Sequence, residues 1–422
     1  MKMQSFQIPV QAWYGDHDIE LTFPVKWRIE NCQMAGHDIA AISDSEIRDA
    51  LNRPLRTERL SELARGKRRV VILFDDLTRP TPTWRIVPFV LEQLREGGVP
   101  EENICFVAAY GCHAPMLLDA LIKKLGKEIV RRYRVFNHNP YENLVDMGKT
   151  SRGTPLLINR EFVESDLRIG VGGLVPHFAI GFSGGAKLLF PGVAGIESAS
   201  HNHGVIGGGG GDRSKPRKYH FGEIEDNDLR QDLEEAAKMI GFDMKIDVLV
   251  NHHREVIGVF AGDFVAQHRA GSKRAFAVYA TPIATDCDIV ITNTYPIESQ
   301  PMKAIWAARL SLKSNGHVVV VSQGLTGLAP HCLNGRFGTD FGGRMWGPTK
   351  NLLVPHADRI YVLAKYHAKA ELEMFGPEDQ VVPCETWPEV LTHLQQIYPN
   401  EAKVALYPYA PIQCPDNSQA IA

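Results

Sequence analysis

A chain of 422 residues is too long for one ordinary hydrophobic core, so two domains are expected. Its composition, 44% hydrophobic and 23% charged, is that of a globular protein, and a net charge of −3 excludes the strongly basic balance of a general nucleic-acid binder. No apolar run approaches the roughly 18 residues of a membrane span, and the opening MKMQSFQIPVQAWYGD lacks the apolar stretch of a secretory signal.

In chain order, the segment to about residue 40 alternates apolar and polar residues as a small antiparallel sheet does. A charged helical stretch (44–64) follows, then three short apolar runs at 70–74, 104–109 and 167–174, separated by helical patterns such as 86–94 and 115–125. That βαβ rhythm predicts a buried parallel sheet. A Gly- and His-rich region spans 181–221 and holds five consecutive glycines, Gly207 to Gly211. An amphipathic helix (225–240) and a strand (244–251) close the first half. A second α/β pattern has strands at 289–292, 318–321 and 360–363, a helix at 302–312 and a last strand at 404–407. The expected fold is therefore α/β: an N-terminal domain of residues 1–277, a C-terminal α/β domain of 278–408, and an active-site cleft between them. The Pro-rich tail, 409–422, is expected to pack back on the first domain. Basic runs at 67–69 and 213–218 read as solvated charge. Cys32, Cys105, Cys112, Cys287, Cys332, Cys384 and Cys414 are odd in number and contain no CxxC pair, which fits reduced thiols and a cytoplasmic protein.

In open α/β sheets ligands bind beyond the carboxyl ends of the strands, so the segments after 74, 109, 174 and 292 matter most. The first is Asp75-Asp76-Leu77-Thr78-Arg79-Pro80-Thr81-Pro82. Arg79 suits a carboxylate or phosphate, and Asp75 or Asp76 suits a ribose hydroxyl. The plainer alternative is an Asp/Thr helix cap with proline at the first helical position. The second segment is Gly111-Cys112-His113, where a lone histidine is more often structural than catalytic.

The third runs from Gly172-Gly173 through His177 and Ser183-Gly184-Gly185-Ala186-Lys187 to His201-Asn202-His203. Dense glycine lets backbone N–H groups approach a ligand, although neither P-loop nor dinucleotide spacing is present. Lys187 is a nucleophilic amine flanked by imidazoles, and His201 or His203 is a candidate metal ligand. After the fourth strand, Asn293-Thr294-Tyr295-Pro296 leads to Gln300 and Lys303, three residues apart on one helical face, as expected for a second-domain reach to a substrate.

Together these segments resemble the nickel-dependent lactate racemase family. The resemblance rests on the Asp75 to Pro82 motif, Gly111-x-His113, Pro176-His177 with Lys187 ten residues on, His203 sixteen beyond that, and the Asn293 to Pro296 turn with Gln300 and Lys303. It implies an isomerase that inverts C2 of a 2-hydroxy acid by hydride transfer through a 2-keto acid. It implies a nickel-pincer cofactor, pyridinium-3,5-bisthiocarboxylic acid mononucleotide, tethered at Lys187 with nickel on His203. Asp76, Thr78, Ser183, Gly184 and Gly185 fall in the cofactor-binding set by the same likeness. His113 and His177 become the acid/base pair, and Arg79, Gln300 and Lys303 bind the small-molecule substrate. Cofactor-biosynthesis proteins are implied as partners, while nucleic acid and membrane are not expected and an oligomer is left open. The loop between Pro296 and Gln300 is short for the family, which points away from lactate itself and toward a larger or more polar acid. Two other readings are a zinc hydrolase using His177, His201 and His203, and a cofactor-binding protein without turnover.

Overall fold

The computed structural model describes residues 2–207, 221–328, 330–334 and 351–416. The glycines from 208 to 211 and the basic run at 213–218 lie outside the described residues. The chain divides into two compact units.

One unit comprises Asp38–Ala277 and Pro330–Trp346. Its six-stranded sheet has the order Val256–Gly262, Met244–Val250, Leu167–Gly173, Val70–Phe74, Ile104–Ala108, Arg134–Asn137. Every pairing is parallel except that between Val256–Gly262 and Met244–Val250. Val70–Phe74 is central, and each of its five residues is 0% exposed. The period-2 geometry of a strand explains why an unbroken apolar run is needed there. Val70, Ile72 and Phe74 face the layer holding helix Thr83–Glu96, whereas Val71 and Leu73 face the layer holding helix Asp228–Ile240. Each buried aliphatic side chain contributes about 1.5–3 kcal/mol, so the sheet is a stiff base for the loops at its carboxyl edge.

The other unit comprises Met1–His37, Val278–Ala329 and Gly347–Ala422. Its six-stranded sheet, wholly parallel, has the order Val381–Cys384, Ala357–Leu363, Leu312–Val321, Cys287–Asn293, Lys403–Tyr407, Arg28–Asn31. An antiparallel hairpin, Met3–Val10 with His17–Pro24, packs Ile8, Val10, Leu21 and Phe23 into this unit's core beside Trp387 and Val390.

The α/β class and the run of strands agree with expectation, but the division differs at both ends of the chain. Residues 1–37 sit with the second sheet, because Arg28–Asn31 pairs with Lys403–Tyr407 at its edge. The tail also stays in that unit, where Cys414–Pro415 pairs in parallel with Ala280–Thr281. A four-residue strand such as Arg28–Asn31 carries no signal of which edge it joins. Among the described residues no helix is long and apolar enough to cross a membrane.

Candidate active site

The loop after Val70–Phe74 is not a helix cap. Helix Thr83–Glu96 begins with Pro82 at the cap position and no side-chain cap bond. The two carboxylates are instead spent in different directions. Asp75 is structural: Oδ2 accepts from Gly173 N and the Thr81 hydroxyl, each at 2.7 Å, and Oδ1 lies 2.6 Å from Lys124 Nζ. Lys124 is fully buried, and its ammonium also donates to the Arg79 and Thr81 carbonyls at 2.9 Å. Sequence reading overlooked this lysine, which fell in an ordinary amphipathic helix, Leu118–Leu125.

Asp76 faces the chemistry. Its Oδ2 lies 2.7 Å from His113 Nδ1, and its Oδ1 accepts from Thr78 N at 3.0 Å and from the Thr78 hydroxyl. Burial alone would raise its pKa, but His113, Arg79 and the Thr78 hydroxyl hold the carboxyl well below the usual range. An ionised carboxylate can only accept, so His113 Nδ1 carries the hydrogen, and in the neutral ring Nε2 presents its lone pair. Arg79 Nη1 donates to the Thr78 carbonyl at 2.8 Å and hydroxyl at 2.9 Å, which stiffens the turn. The Thr78 hydroxyl is thus consumed within the loop.

The glycine-rich segment folds as a tiny hairpin, Pro176–His177 with Gly181–Phe182, followed by a helical turn, Gly185–Leu188. It puts His177 Nε2 3.2 Å from Lys187 Nζ. His177 Nδ1 accepts from Ala179 N at 3.2 Å, so Nε2 holds the imidazole hydrogen. Burial, then the Arg79 and Arg230 guanidiniums, hold Lys187 well below the ordinary lysine range. The amine therefore offers its lone pair to His177 Nε2–H, the state a nucleophilic lysine needs.

Gly184 and Gly185 turn the chain here with φ of +76° and +55°. A Cβ on Gly184 would stand 2.7 Å from the Asp247 carboxylate. That carboxylate is fully buried, accepts from Gly185 N and Gln267 Nε2 at 2.8 Å, and pairs with buried Lys245 at 2.5 Å. Buried Arg230 donates to the Phe182 and Gly184 carbonyls, and His268 Nε2 lies 2.9 Å from the Ser183 carbonyl. This platform was overlooked, though Lys245 and Asp247 inside an apolar strand were a visible signal. Ser183 is 2% exposed, and its hydroxyl donates to the Gly173 carbonyl at 2.9 Å and accepts from Val175 N at 3.0 Å. Its hydroxyl holds the loop.

His201 and His203 part company in a π-helical turn, His201–Ile206. His201 Nδ1 lies 2.9 Å from the Thr154 hydroxyl, which donates to Asp232 at 2.9 Å, so it belongs to a supporting network. His203 sits within electrostatic reach of Lys187 and His113. Burial, reinforced by those two and opposed by the Ala199 carbonyl, pushes its pKa down to about 3. Its Nδ1 is buried without a well-formed hydrogen bond. Among the described residues no three His, Cys, Asp or Glu side chains converge as a metal cage. The His177, His201, His203 cluster that a zinc hydrolase requires is therefore not formed.

One participant had no signal in the sequence. His331 forms an isolated antiparallel bridge with His113, and its ring meets His113 edge-on at 5.1 Å. Burial, followed by His113, His203 and Lys187, holds it well below the ordinary histidine range.

These features can be set beside known proteins. The profile of the lactate racemase N-terminal domain matches residues 14–210. The chain is 32% identical over 289 residues to a lactate racemase from Lactiplantibacillus plantarum, covering 67% of this chain and 66% of that protein, just under two thirds. It is 29% identical over 349 residues to a lactate racemase from Thermoanaerobacterium thermosaccharolyticum, covering 80% of this chain and 77% of that one. The chain is thus similar to lactate racemases, most clearly over its N-terminal half. Its fold is shared with the lactate racemase apoprotein from T. thermosaccharolyticum (TM-score 0.75, 23% identity, 97% and 100% of the two chains). A Thermotoga maritima protein is more distant (TM-score 0.63, 16% identity, 89% and 99%). Those family members are named as racemases, so the family is one of isomerases.

In this chain Asp76, Thr78, Arg79, His113, His177, Lys187 and His203 fall in one compact unit, and Gln300 and Lys303 fall in the other. There Asn293 Nδ2 donates to the Pro9 and Pro408 carbonyls at 2.7 and 2.9 Å, and the Tyr295 hydroxyl donates to Asp16 at 2.9 Å. Asn293 is thus a structural clamp. Gln300 caps a short 3-10 turn, Pro301–Lys303, rather than the longer helix expected from residue 302.

Proposed function

We propose that this protein is a 2-hydroxy acid racemase or epimerase that inverts C2 by removing and returning hydride through a 2-keto acid. The observation that carries this reading is a pair of histidines in one unit, His113 and His177, with their hydrogens on opposite nitrogens and His177 3.2 Å from Lys187. His113 presents a lone pair because Asp76 holds its Nδ1–H at 2.7 Å, and His177 presents Nε2–H because Ala179 occupies its Nδ1. A purely structural cluster has no need for a base, a donor and an uncharged amine.

The residues present suit a nickel-pincer pyridinium mononucleotide. A metal held by protein alone would need several side-chain ligands, whereas a metal whose other donors come from sulfur-bearing arms of an organic group needs one histidine. His203, with an unpartnered buried nitrogen, suits that single ligand, and the uncharged Lys187 amine suits a covalent tether. When bound, the group supplies the two-electron acceptor for hydride at C2.

The chain's own part follows from its chemistry. Arg79 grips the substrate carboxylate as a planar fork. His113 Nε2 takes the C2 hydroxyl proton as the C2–H bond breaks with its electron pair, and the C–O bond becomes a carbonyl. Return of that pair with its hydrogen to the opposite face restores the alcohol, with His177 serving the oxygen in the other orientation. A histidine's ordinary pKa near 6.5 suits both taking and giving a proton near neutrality. The short loop between Pro296 and Gln300 favours an acid larger or more polar than lactate.

The test is inversion of a panel of 2-hydroxy acids by holoenzyme in D2O, followed by NMR. Inversion with the C2 hydrogen retained supports hydride transfer. Deuterium at C2 would mean proton abstraction from carbon and would overturn the mechanism. Failure to invert any 2-hydroxy acid would overturn the activity.

A further inference from the structure

His331 is held with unusual care for a residue on a loop. Its backbone bridges His113, and next to it Cys332 N donates to the Cys112 carbonyl at 2.8 Å. Leu333 is fully buried against Cys112 and Ala199, and the Tyr141 hydroxyl donates to Cys332 Sγ at 3.0 Å. The ring is fixed as well. Leu333 N donates to His331 Nδ1 at 3.2 Å, and a backbone N–H has no alternative role, so Nδ1 presents the lone pair and Nε2 carries the hydrogen. Among the described residues that Nε2–H has no hydrogen-bond partner.

The neighbouring ring is in the opposite state: His113 Nε2 is a lone pair. A base and a fixed donor thus stand side by side with centroids 5.1 Å apart. Rings at that spacing are close enough for both to meet one small ligand. We infer that His331 is a catalytic hydrogen-bond donor to the C2 oxygen of the 2-hydroxy acid, holding it as hydroxyl and as carbonyl while His113 moves the proton. The inference rests on the reading of the site as a 2-hydroxy acid racemase. As the hydroxyl loses its proton the oxygen becomes a stronger acceptor, so the bond tightens where the barrier lies. His331 does not compete as a base, because its Nδ1 is engaged and its Nε2 already bears hydrogen.

The test compares holoenzyme with His331→Leu, which removes the donor, and His331→Gln, whose amide N–H replaces Nε2–H. We expect H331L to lower kcat about 100-fold with KM within threefold, and H331Q to regain at least tenfold of that loss. Independently of turnover, calorimetry reads binding of pyruvate against propionate, which lacks the C2 oxygen. A margin of about tenfold for pyruvate is expected in the wild type and in H331Q, and no margin in H331L. An H331L kcat within threefold of wild type, an H331Q no better than H331L, or a wild type without the margin would overturn the assignment. If the margin follows the donor but no 2-hydroxy acid is inverted, the activity fails and the C2-oxygen contact stands. If inversion is intact and H331L matches wild type, His331 alone is wrong.

Discussion

Replacing Asp76 with Asn should switch off His113 without disturbing its position. In the wild type, Asp76 Oδ1 takes Thr78 N at 3.0 Å and Oδ2 takes His113 Nδ1 at 2.7 Å. An asparagine has one acceptor, and the Thr78 backbone N–H can only donate, so the carboxamide oxygen must stay on that side. Its NH2 then faces His113 Nδ1, which is driven to accept. The imidazole hydrogen moves to Nε2, and the lone pair that takes the substrate proton is gone. In a serine protease triad the same substitution costs about 10⁴ in kcat, and general-base contributions run from about 10² to 10⁴. The expected loss here is thus about 10²–10⁴ in kcat, or roughly 3–5 kcal/mol at 1.36 kcal/mol per decade. The assay is kcat in both directions, with the His113 tautomer read by 15N NMR of histidine-labelled protein. For a pair of enantiomers the equilibrium constant is unity, so kcat/KM must fall equally for both. If D76N keeps kcat within fivefold while His113→Ala abolishes turnover, the Asp76–His113 bond does not set the base, and the argument from tautomers is wrong.

Other expectations follow from the same geometry. Gly184→Ala should destabilise the protein by at least about 2 kcal/mol, since a φ of +76° costs an L residue about 1–2 kcal/mol and the Asp247 carboxylate 2.7 Å away is pinned; thermal melting should show a fall of about 4–8 °C, and an unchanged melt would refute it. In protein made without its cofactor, Lys187 should be the first lysine to react with an amine-selective acylating reagent near pH 7.5, as peptide mapping would show, because burial and two guanidiniums keep it uncharged where other lysines are ammonium. Burial lowers His138 to about 4 from 6.5. Between those values the unfolded chain binds more protons, so stability is full above pH 6.5 and declines as pH falls. His138 contributes about 2 kcal/mol of that loss between pH 6.5 and 5. Urea unfolding should show His138→Gln flattening this acid limb, and an equally steep limb would assign it elsewhere.

How much of this was legible in the sequence depends on whether a feature is local. The run 70–74 had to be central because five successive apolar residues require both faces covered, and it is. Lys187 and His177 were visible because a ten-residue hairpin returns one to the other. Asp76 and Asp75 were not separable, because their roles are set by Lys124 and His113, which lie 49 and 37 residues downstream. His201 and His203 were equally plausible as ligands on spacing, and the π-helical turn, which spacing does not announce, divides them. Thr78 and Ser183 were expected at the cofactor from the family resemblance. Both are instead spent on the loop itself, since tight turns leave backbone groups that need a partner. His331 had no local signal: it stands between masses of chain that fold in the other unit and reaches His113 across more than two hundred residues.

The charges around Lys187 give a reason for these choices. Burial is the largest cause of each shift; beyond it, Arg79 and Arg230 depress Lys187, Lys187 and His113 depress His203, and these in turn depress His331, while Asp76 is the carboxylate that touches His113. Positive charge is in surplus, so each added proton is resisted by the others and the lysine and these two histidines are kept uncharged. Such a site is poised for anions: a substrate carboxylate and the phosphate of a mononucleotide would neutralise the guanidiniums and relax that pressure. Lys187, His203 and His331 would then move back toward their ordinary ranges. Binding of the anionic ligands would in this way be coupled to proton uptake by the site. Calorimetry in two buffers of different ionisation enthalpy checks this, since 2-hydroxy acid binding should take up protons near pH 6.5, and binding with no proton uptake would refute the coupling.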